Sequence, residues 1–487
     1  WFDCTHAPCV DTCPTHQDIP NYNYYTAKGD FRKATEVILQ TNPFPRVTGK
    51  ICDHLCQFKC TRINYDHPVL IREIKRFVAE KETDNANTHS SEFTIEHKHK
   101  AAIIGAGPSG LSCACFLARA GFSVTVYENK PEPGGMVSSG IPSFRLDNEA
   151  IRNDIAEIEV SGVKIFYNQS INKARFEDLR LENDYIYIAA GAQLSATLNI
   201  EGSNATGVLD PLQFLEAVKK SKAPFVSGKV ILVIGGGNTA MDVARTAFRL
   251  AGNEGKVIII YRRTIREMPA DKGEIRAVLD EGIEIMQLLA PVKINTHNGK
   301  VNSLVCRKMK LGDKDSDGRA RPVEIPGSEF EIDADIIIPA IGQQLDIDFC
   351  DTELLRTQKG SYETLISNVF IGGDAMRGAS TAINAIADGR KAAQEIIDSA
   401  GINFSTRTEN QREAAESNHI MTLRAKRVFP VKVNETPLND RMNFKPVSYT
   451  ITEEEARSEA SRCLLCDEIC NTCVTVCPNL AFFYYET

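Results

Sequence analysis

The sequence is short of positive charge and of long apolar runs. Its 56 Lys and Arg residues are outnumbered by 64 Asp and Glu residues, which gives a formal net charge of -8 and argues against a nucleic-acid backbone as a partner. No apolar run is long enough to cross a bilayer. The first residues also lack the basic segment and apolar stretch of a signal peptide. We therefore expect a cytoplasmic protein without a membrane span and without a nucleic-acid partner.

The sequence also lacks a recognisable nucleophilic site, because no Ser/His/Asp or Cys/His combination stands out. With 487 residues, of which 43% are hydrophobic, the chain is long enough for two to four domains. It begins at Trp1 and not at Met, and we expect further residues upstream. These features indicate a multidomain globular protein whose chemistry depends on bound groups.

Cysteine is plentiful and lies mostly at the two ends of the chain. Of the 15 cysteines, eleven form two groups: Cys4, Cys9, Cys13, Cys52, Cys56 and Cys60 at the start, and Cys463, Cys466, Cys470, Cys473 and Cys477 at the end. Disulfides are typical of oxidising compartments, which the missing export signal disfavours. Zinc stays an alternative, since thiolates two to four residues apart suit tetrahedral coordination. The ending C-x2-C-x3-C-P favours iron–sulfur clusters.

A first βαβ unit follows the polar stretch that ends near residue 95. In KAAIIGAGPSGLSCACFLARAGFSVTVYENK, an apolar run precedes Gly105-x-Gly107-x-x-Gly110, and a small-residue helix leads to a second strand that ends at Glu128. Such glycines allow a tight turn and close approach of a pyrophosphate to a helix N-terminus. Glu128, 23 residues after Gly105, can accept hydrogen bonds from a ribose. The pattern predicts a dinucleotide-binding site. A further glycine pair, Gly134-Gly135, follows the second strand.

A second βαβ unit occupies KVILVIGGGNTAMDVARTAFRLAGNEGKVIIIYRR. Its glycines are Gly235 and Gly237, and Ala240 takes the third place, where a small side chain lets helix and strand pack closely. An NAD-preferring site usually has an acid at the end of the second strand. Here the sequence has arginines that could bind a 2′-phosphate through charge-assisted hydrogen bonds: Arg262, Arg263 and Arg266. NADP is favoured over NAD, although these arginines could equally form surface salt bridges.

A third motif, NVFIGGDAMRGASTAINAIADGR, indicates a family resemblance. With the two βαβ units, it resembles the flavoprotein disulfide-reductase superfamily. Within that superfamily it is similar to glutamate synthase small subunits and to the N-terminal half of dihydropyrimidine dehydrogenase. The segments PTHQDIP, NPFP, GIPSFRL and AIG carry this likeness. The stretch YDHPVLIREIKRF and the cysteine-rich tail are also similar to flavin and iron–sulfur subunits of the selenate reductase type.

The resemblance implies an α/β fold with two Rossmann-like dinucleotide-binding domains, preceded by a helical [4Fe–4S] domain and followed by a ferredoxin-like segment. The expected boundaries are 1–95 for the helical iron–sulfur domain, 96–222 and 343–400 for the two parts of the FAD domain, 223–342 for the NADP domain, 401–455 for a linker that wraps or connects, and 456–487 for the ferredoxin-like segment.

The resemblance also assigns residues to the two nucleotides. For FAD it implies Gly105, Gly107, Gly110, Glu128, Gly135, Arg145, Gly373, Asp374 and Thr381. For NADP(H), with NAD(H) as the alternative, it implies Gly235, Gly236, Gly237, Asn238, Thr239, Arg262, Arg263, Arg266, Ala340, Ile341 and Gly342. Residues 129–146 contain no cysteine, so the redox-active CxxxxC pair of the superfamily is absent and thiol reductase chemistry is not expected.

The same likeness implies two [4Fe–4S] clusters in the N-terminal domain. One takes Cys4, Cys9 and Cys60, but Trp1 stands where the family has a further cysteine. The other takes Cys13, Cys52 and Cys56, but Lys75 stands where the family has Gln or Glu, and a protonated Lys has no lone pair to donate. Glu73 is the candidate substitute. For the tail we expect one complete [4Fe–4S] cluster held by four of its five cysteines, among them Cys466, Cys470 and Cys473.

These assignments predict an NADPH-linked electron-transfer subunit that exchanges electrons with a partner enzyme, such as a molybdenum hydroxylase or another reductase. Hydride transfer to the flavin needs no catalytic side chain. One alternative is a stand-alone, bifurcating NAD(P)H–ferredoxin or NAD(P)H–sulfur oxidoreductase. The alternative of another class is an interaction module whose cysteines bind structural zinc.

Overall fold

The N-terminal domain is helical. The computed structural model describes residues 7–64, 66–81, 99–315, 318–405 and 427–467. Side-chain carboxylates begin two of the helices, because Asp18 accepts a hydrogen bond from the backbone N–H of Asn21 and Asp30 accepts one from Lys33. The helices of this domain are α1 (Pro8–Thr12), α2 (Ile19–Lys28), α3 (Phe31–Leu39), α4 (Pro45–Ile51), α5 (Leu55–Phe58) and α6 (Ile71–Lys81).

The first dinucleotide-binding domain contains a sheet of five parallel strands in the order β15-β4-β1-β2-β3. Strand β4 is buried along its whole length, as expected for a parallel sheet covered on both faces. The elements up to the second domain are β1 (Lys100–Ile104), α7 (Pro108–Arg119), β2 (Ser123–Tyr127), α8 (Met136–Ser139), α9 (Asn148–Val160), β3 (Lys164–Phe166), α10 (Lys173–Glu182), β4 (Tyr185–Ile188), β5 (Leu194–Ser195) and α11 (Pro211–Lys219).

The second dinucleotide-binding domain has a parallel sheet in the order β13-β6-β7-β8, and β9 to β12 form an antiparallel sheet beside it. Its elements are β6 (Val230–Ile234), α12 (Asn238–Ala251), β7 (Lys256–Tyr261), α13 (Lys272–Asp280), β8 (Glu284–Gln287), β9 (Leu289–His297), β10 (Lys300–Lys314), β11 (Ala320–Glu324), β12 (Phe330–Asp333) and β13 (Ile336–Pro339).

The chain then returns to the first domain. Strand β14 (Gln343–Gln344) pairs with β5 where the chain crosses back, and β15 (Val369–Ile371) pairs with β4. Two helices follow, α14 (Asp374–Arg377) and α15 (Ala382–Ser399). The second domain is thus inserted between two parts of the first, as the superfamily resemblance implies.

The last described helix, α16 (Glu453–Ala460), packs against the N-terminal domain. Ala456 and Ala460 are buried in the same hydrophobic core as Ile19 and Ile74. The segment before α16 is held there too, since Arg76 donates hydrogen bonds to Ser448 at 3.0 and 3.1 Å. Residues 448–460 therefore pack back onto the start of the chain.

A buried ion pair joins the helical domain to the first dinucleotide-binding domain. The guanidinium of Arg46 lies 3.1 Å from the carboxylate of Asp154 on α9, and both side chains are almost fully buried. The same carboxylate accepts backbone N–H groups of Arg46 and Val47 at 3.2 and 2.9 Å. Because every carboxylate contact crosses the domain boundary, the two domains are fixed to each other at this point.

Candidate nucleotide and iron–sulfur sites

The first glycine loop leaves room for a pyrophosphate. A Cβ atom added to Gly105 would lie 2.4 Å from the carbonyl oxygen of Ala189, and one added to Gly110 would lie 2.0 Å from that of Gly105. These two glycines are required by close backbone packing. Gly107, in contrast, has no atom within 4 Å of an added Cβ. The open side of the loop is therefore the face expected to receive the dinucleotide.

Glu128, at the end of β2, is buried and holds the loop. Its two carboxylate oxygens accept backbone N–H groups of Ala106 and Lys130, both at 2.8 Å. It also lines the cleft above the loop. The prediction that Glu128 binds a ribose is thus accompanied by a structural role that the sequence pattern did not indicate.

The cleft over this loop has a volume of about 420 Å³, within the usual range for cofactor sites. Gly107 and Gly135 line one side, and Asp374 lines another. The φ angle of Gly135 is 54°, and its added Cβ would lie 3.0 Å from the Cα of Gly107. Asp374 accepts hydrogen bonds from the backbone N–H and the hydroxyl of Ser380, at 3.1 and 2.7 Å.

Asp388 is a residue of this site that sequence analysis did not identify. It is buried on α15 and accepts the backbone N–H of Gly373 at 3.1 Å and the hydroxyl of Tyr362 at 2.8 Å. It also pairs with the guanidinium of Arg377. Asp388 therefore fixes the turn that presents Asp374 to the cleft.

A second cavity, of about 190 Å³, lies between the two dinucleotide-binding domains. Asn238 and Thr239 line it from the second glycine loop, and Thr381, the N-cap of α15, lines it from the first domain. Pro108 and Asp374 line both this cavity and the first cleft. The two predicted nucleotide sites therefore adjoin each other.

Arg145 spans the same domain boundary. Its guanidinium lies 2.7 Å from Asp242 on α12 and 2.9 Å from Glu274 on α13, and the side chain is mostly buried. Arg145 also lines the cavity between the domains. The family resemblance assigned Arg145 to the binding of FAD. The ion pairs of Arg145 with Asp242 and Glu274 also orient the second domain relative to the first.

The second glycine loop repeats the geometry of the first. An added Cβ on Gly235 would lie 2.2 Å from the carbonyl oxygen of Ala340, and one on Gly236 would lie 2.5 Å from the ring of Tyr261. Gly237 has no atom within 4 Å of an added Cβ, which again marks the open side. Close by in the chain, Ile341 is exposed and Gly342 has a φ angle of 137°.

The three arginines after β7 have different environments. Arg262 and Arg266 are exposed. Arg263 is only 5% exposed, and it donates hydrogen bonds to the carbonyl oxygen of Ala320 at 2.8 Å and to the carboxylate of Asp315 at 2.6 Å. The side chains of Arg262 and Arg266 are therefore accessible to the phosphate group of a ligand, whereas Arg263 already has an acidic partner.

Four cysteines from the two ends of the chain line one cavity: Cys9, Cys60, Cys463 and Cys466. Burial and the neighbouring thiols of Cys463 and Cys60 raise the pKa of Cys9 well above its usual value. Burial, with the nearby Cys466, raises the pKa of Cys463 to about 12. Burial disfavours a charged thiolate, and neighbouring thiols disfavour it further, so both effects raise these pKa values. Cys4, Cys470, Cys473 and Cys477 lie outside the described residues.

The other N-terminal group brings Cys13, Cys52 and Cys56 together. Burial raises the pKa of Cys56, and so do the thiols of Cys13 and Cys52. Lys75 is buried next to this group, and its charge opposes the effect of burial on the pKa of Cys52. Glu73 is also buried, but its carboxylate accepts a hydrogen bond from Arg72 at 3.0 Å. Glu73 as the fourth ligand stays a prediction.

The described cysteines are not arranged around a single metal ion. Within residues 7–64, 66–81, 99–315, 318–405 and 427–467, no three His, Cys, Asp or Glu side chains form such a group. In the same part of the chain, no helix combines the length and apolarity that a bilayer crossing demands.

Comparison with known proteins identifies both parts of the molecule. Residues 99–389 match the family model described as pyridine nucleotide-disulphide oxidoreductase, and residues 2–87 match that described as dihydropyrimidine dehydrogenase domain II, 4Fe-4S cluster. The predicted fold, with two Rossmann-like domains behind a helical [4Fe–4S] domain, is confirmed. The final ferredoxin-like segment lies mostly outside the described residues.

Two curated relatives are similar over most of the chain. A protein of Escherichia coli O157:H7 named as an oxidoreductase, YgfK, is 35% identical over 98% of this chain and 45% of its own length. The NADP(+)-dependent formate dehydrogenase subunit beta of Moorella thermoacetica is 36% identical over 80% of this chain and 59% of its own. The chain thus spans about half the length of these relatives.

Among solved structures, FprA of Mycobacterium tuberculosis in complex with NADPH is similar, with a TM-score of 0.54 and 20% identity over 63% of this chain and 85% of FprA. This likeness supports the fold. Because the oxidoreductase model covers more than half of the residues, the chain belongs to the pyridine nucleotide-disulphide oxidoreductase family and carries an N-terminal 4Fe–4S domain.

Proposed function

We propose that this chain is an NADPH-linked electron-transfer subunit. It accepts a hydride from NADPH and passes electrons through FAD and [4Fe–4S] clusters to a partner enzyme. The observation that carries this proposal is the pair of adjoining cavities. One follows the first glycine loop, the other is lined by Asn238 and Thr239 of the second, and Asp374 lines both.

The chain's own residues do the binding and positioning. Gly107 and Gly237 each leave the open side of a loop free for a pyrophosphate, and each N-caps a helix whose first N–H groups can receive negative charge. Bound FAD supplies the conversion between a two-electron hydride and single electrons. Arg145 holds the two domains in the orientation that makes the cavities adjoin.

NADPH is the proposed nucleotide, and NADH the weaker alternative. The exposed residues Arg262 and Arg266 follow the strand whose end binds the 2′-phosphate of NADP in Rossmann domains. The acidic residue that NAD-binding domains have at the end of this strand is replaced here by arginine. The name of the Moorella relative, an NADP(+)-dependent enzyme subunit, supports the same choice.

The partner is proposed from two features. The N-terminal domain, which carries Cys9, Cys13, Cys52, Cys56 and Cys60, is joined to the FAD domain by the Arg46–Asp154 pair. The Moorella relative is named as one subunit of a formate dehydrogenase. We infer that electrons leave through the cysteine-rich domain to a redox subunit, such as a molybdenum hydroxylase or another reductase.

Cofactor analysis of the purified protein tests this proposal. Anaerobically isolated protein should carry about one FAD, together with iron and inorganic sulfide in equal amounts, and its absorption spectrum should show flavin bands over a broad iron–sulfur band. A colourless protein that contains zinc would contradict the proposal and favour a structural role for the cysteines.

A further inference from the structure

The end of the chain brings two cysteines to the N-terminal domain. Cys463 and Cys466 line the cavity that Cys9 and Cys60 line from the other side. The family resemblance assigned Cys9 and Cys60 to an N-terminal cluster, and the ferredoxin-like spacing of the tail assigned Cys466 to a separate one. The remaining wall is largely apolar and includes Ile19 and Val69.

A buried ionic network fixes Cys463 in this place. Glu459 is fully buried, and its carboxylate accepts the backbone N–H groups of Leu70 and Val431, both at 2.9 Å. Arg462, next to Cys463, donates a hydrogen bond to the carbonyl oxygen of His67 at 2.7 Å. In return, Arg62 donates to the carbonyl oxygen of Arg462 at 3.0 Å. The position of Cys463 is thus fixed by contacts that its neighbours Glu459 and Arg462 make.

The polar groups around the cavity suit an iron–sulfur cluster. The hydroxyl of Thr61 lies 3.3 Å from the Sγ of Cys466. The amide of Asn23 is buried and lies within hydrogen-bonding reach of the thiol of Cys463. Hydrogen bonds to cluster sulfurs are a usual feature of such sites, and an amide N–H of this kind can supply one.

We propose that Cys463 and Cys466 complete, with Cys9 and Cys60, the four thiolate ligands of one [4Fe–4S] cluster. This inference rests on the proposed function, in which the N-terminal domain holds such clusters. It replaces two expectations: that Cys4 is a ligand of the cluster held by Cys9 and Cys60, and that Cys466 belongs to a separate tail cluster with Cys470 and Cys473. The C-terminal segment then closes the site instead of forming an independent electron exit.

A cycle of serine variants tests whether the two ends of the chain hold the same cluster. Iron and sulfide are measured in anaerobically purified Cys9→Ser, Cys463→Ser and the double variant. Each single variant should lose about four irons, one cluster's worth, and the double variant should lose no more than either single one. The corresponding EPR signal should disappear in all three. Losses that add, to about eight irons, would overturn the inference.

Further variants separate ligand loss from misfolding. Cys350→Ser, at a half-buried cysteine of the FAD domain, should retain all iron. The FAD content of each variant shows whether the rest of the protein is folded. Cys60→Ser, Cys466→Ser and their double variant form a second cycle, in which we again expect the double variant to lose no more iron than either single one. Full iron in Cys463→Ser and Cys466→Ser would overturn the inference while leaving the proposed function intact. Absence of iron from the unmodified protein would contradict both.

Discussion

The guanidinium of Arg462 donates a hydrogen bond to the backbone carbonyl oxygen of His67 at 2.7 Å, across 395 residues of sequence. Arg462 is 2% exposed and also donates to the carbonyl oxygen of Val428 at 2.8 Å. Its remaining partners include the carboxylates of Glu459 and Asp66. One buried side chain thus connects the C-terminal segment to the loop before α6.

Replacing Arg462 with Met should destabilise the protein strongly, because it leaves the buried carboxylate of Glu459 without its cation. Breaking a buried ion pair in this way costs about 3–5 kcal/mol. Arg457→Met, at an exposed position on α16, is the matched control and should change the free energy of unfolding little. Denaturant unfolding measures both, and equal stability of the two variants would show that the network does not hold the segment.

Gly107→Val and Gly237→Val form a reciprocal test of the two nucleotide sites. Both glycines have negative φ angles and open space where a Cβ would lie, so both variants should fold. Gly107→Val should be purified without FAD, because the side chain fills the space for the pyrophosphate. Gly237→Val should retain FAD but not be reduced by NADPH. Retention of FAD by the Gly107 variant, measured by absorption after gel filtration, would mean that the flavin site is misplaced.

The exposed arginines should determine the choice between NADPH and NADH. Arg262→Gln and Arg266→Gln should each weaken NADPH binding by about 1.5–3 kcal/mol. This loss corresponds to a decrease of roughly 10- to 150-fold in the ratio of kcat/KM for NADPH to kcat/KM for NADH. Arg263→Gln should instead lower stability without changing that ratio, because its partner is Asp315. Unmodified protein that uses both nucleotides equally would contradict this assignment.

Local patterns explain why so much of the architecture was predictable. Gly105 and Gly235 each follow an apolar strand and precede a helix, and the backbone carbonyls of Ala189 and Ala340 leave no room for a Cβ at either position. Such constraints act within one supersecondary unit and leave a readable sequence signature. The two Rossmann-like domains follow from them, whereas the nesting of these domains and the helical cysteine domain were implied by the family resemblance.

Two of the features that sequence analysis missed depend on distant partners. Arg263 follows the same strand as Arg262, yet only the position of Asp315 shows that it already has a partner. Cys463 lies near Cys9 because Glu459 and Arg462 form hydrogen bonds with the backbone of Leu70 and Pro68. Buried hydrogen bonds between remote segments carry no periodicity or fixed spacing, so they cannot be read from one sequence.

The central claim is that NADPH delivers electrons through the flavin to the iron–sulfur clusters of this chain. Anaerobic mixing with NADPH, followed by absorption and by EPR of rapidly frozen samples, tests it most directly. The account predicts bleaching of the flavin bands followed by the appearance of [4Fe–4S] signals without any added mediator, and slower reduction by NADH. A flavin that NADPH leaves oxidised, or a reduced flavin beside clusters that never change their oxidation state, would contradict it.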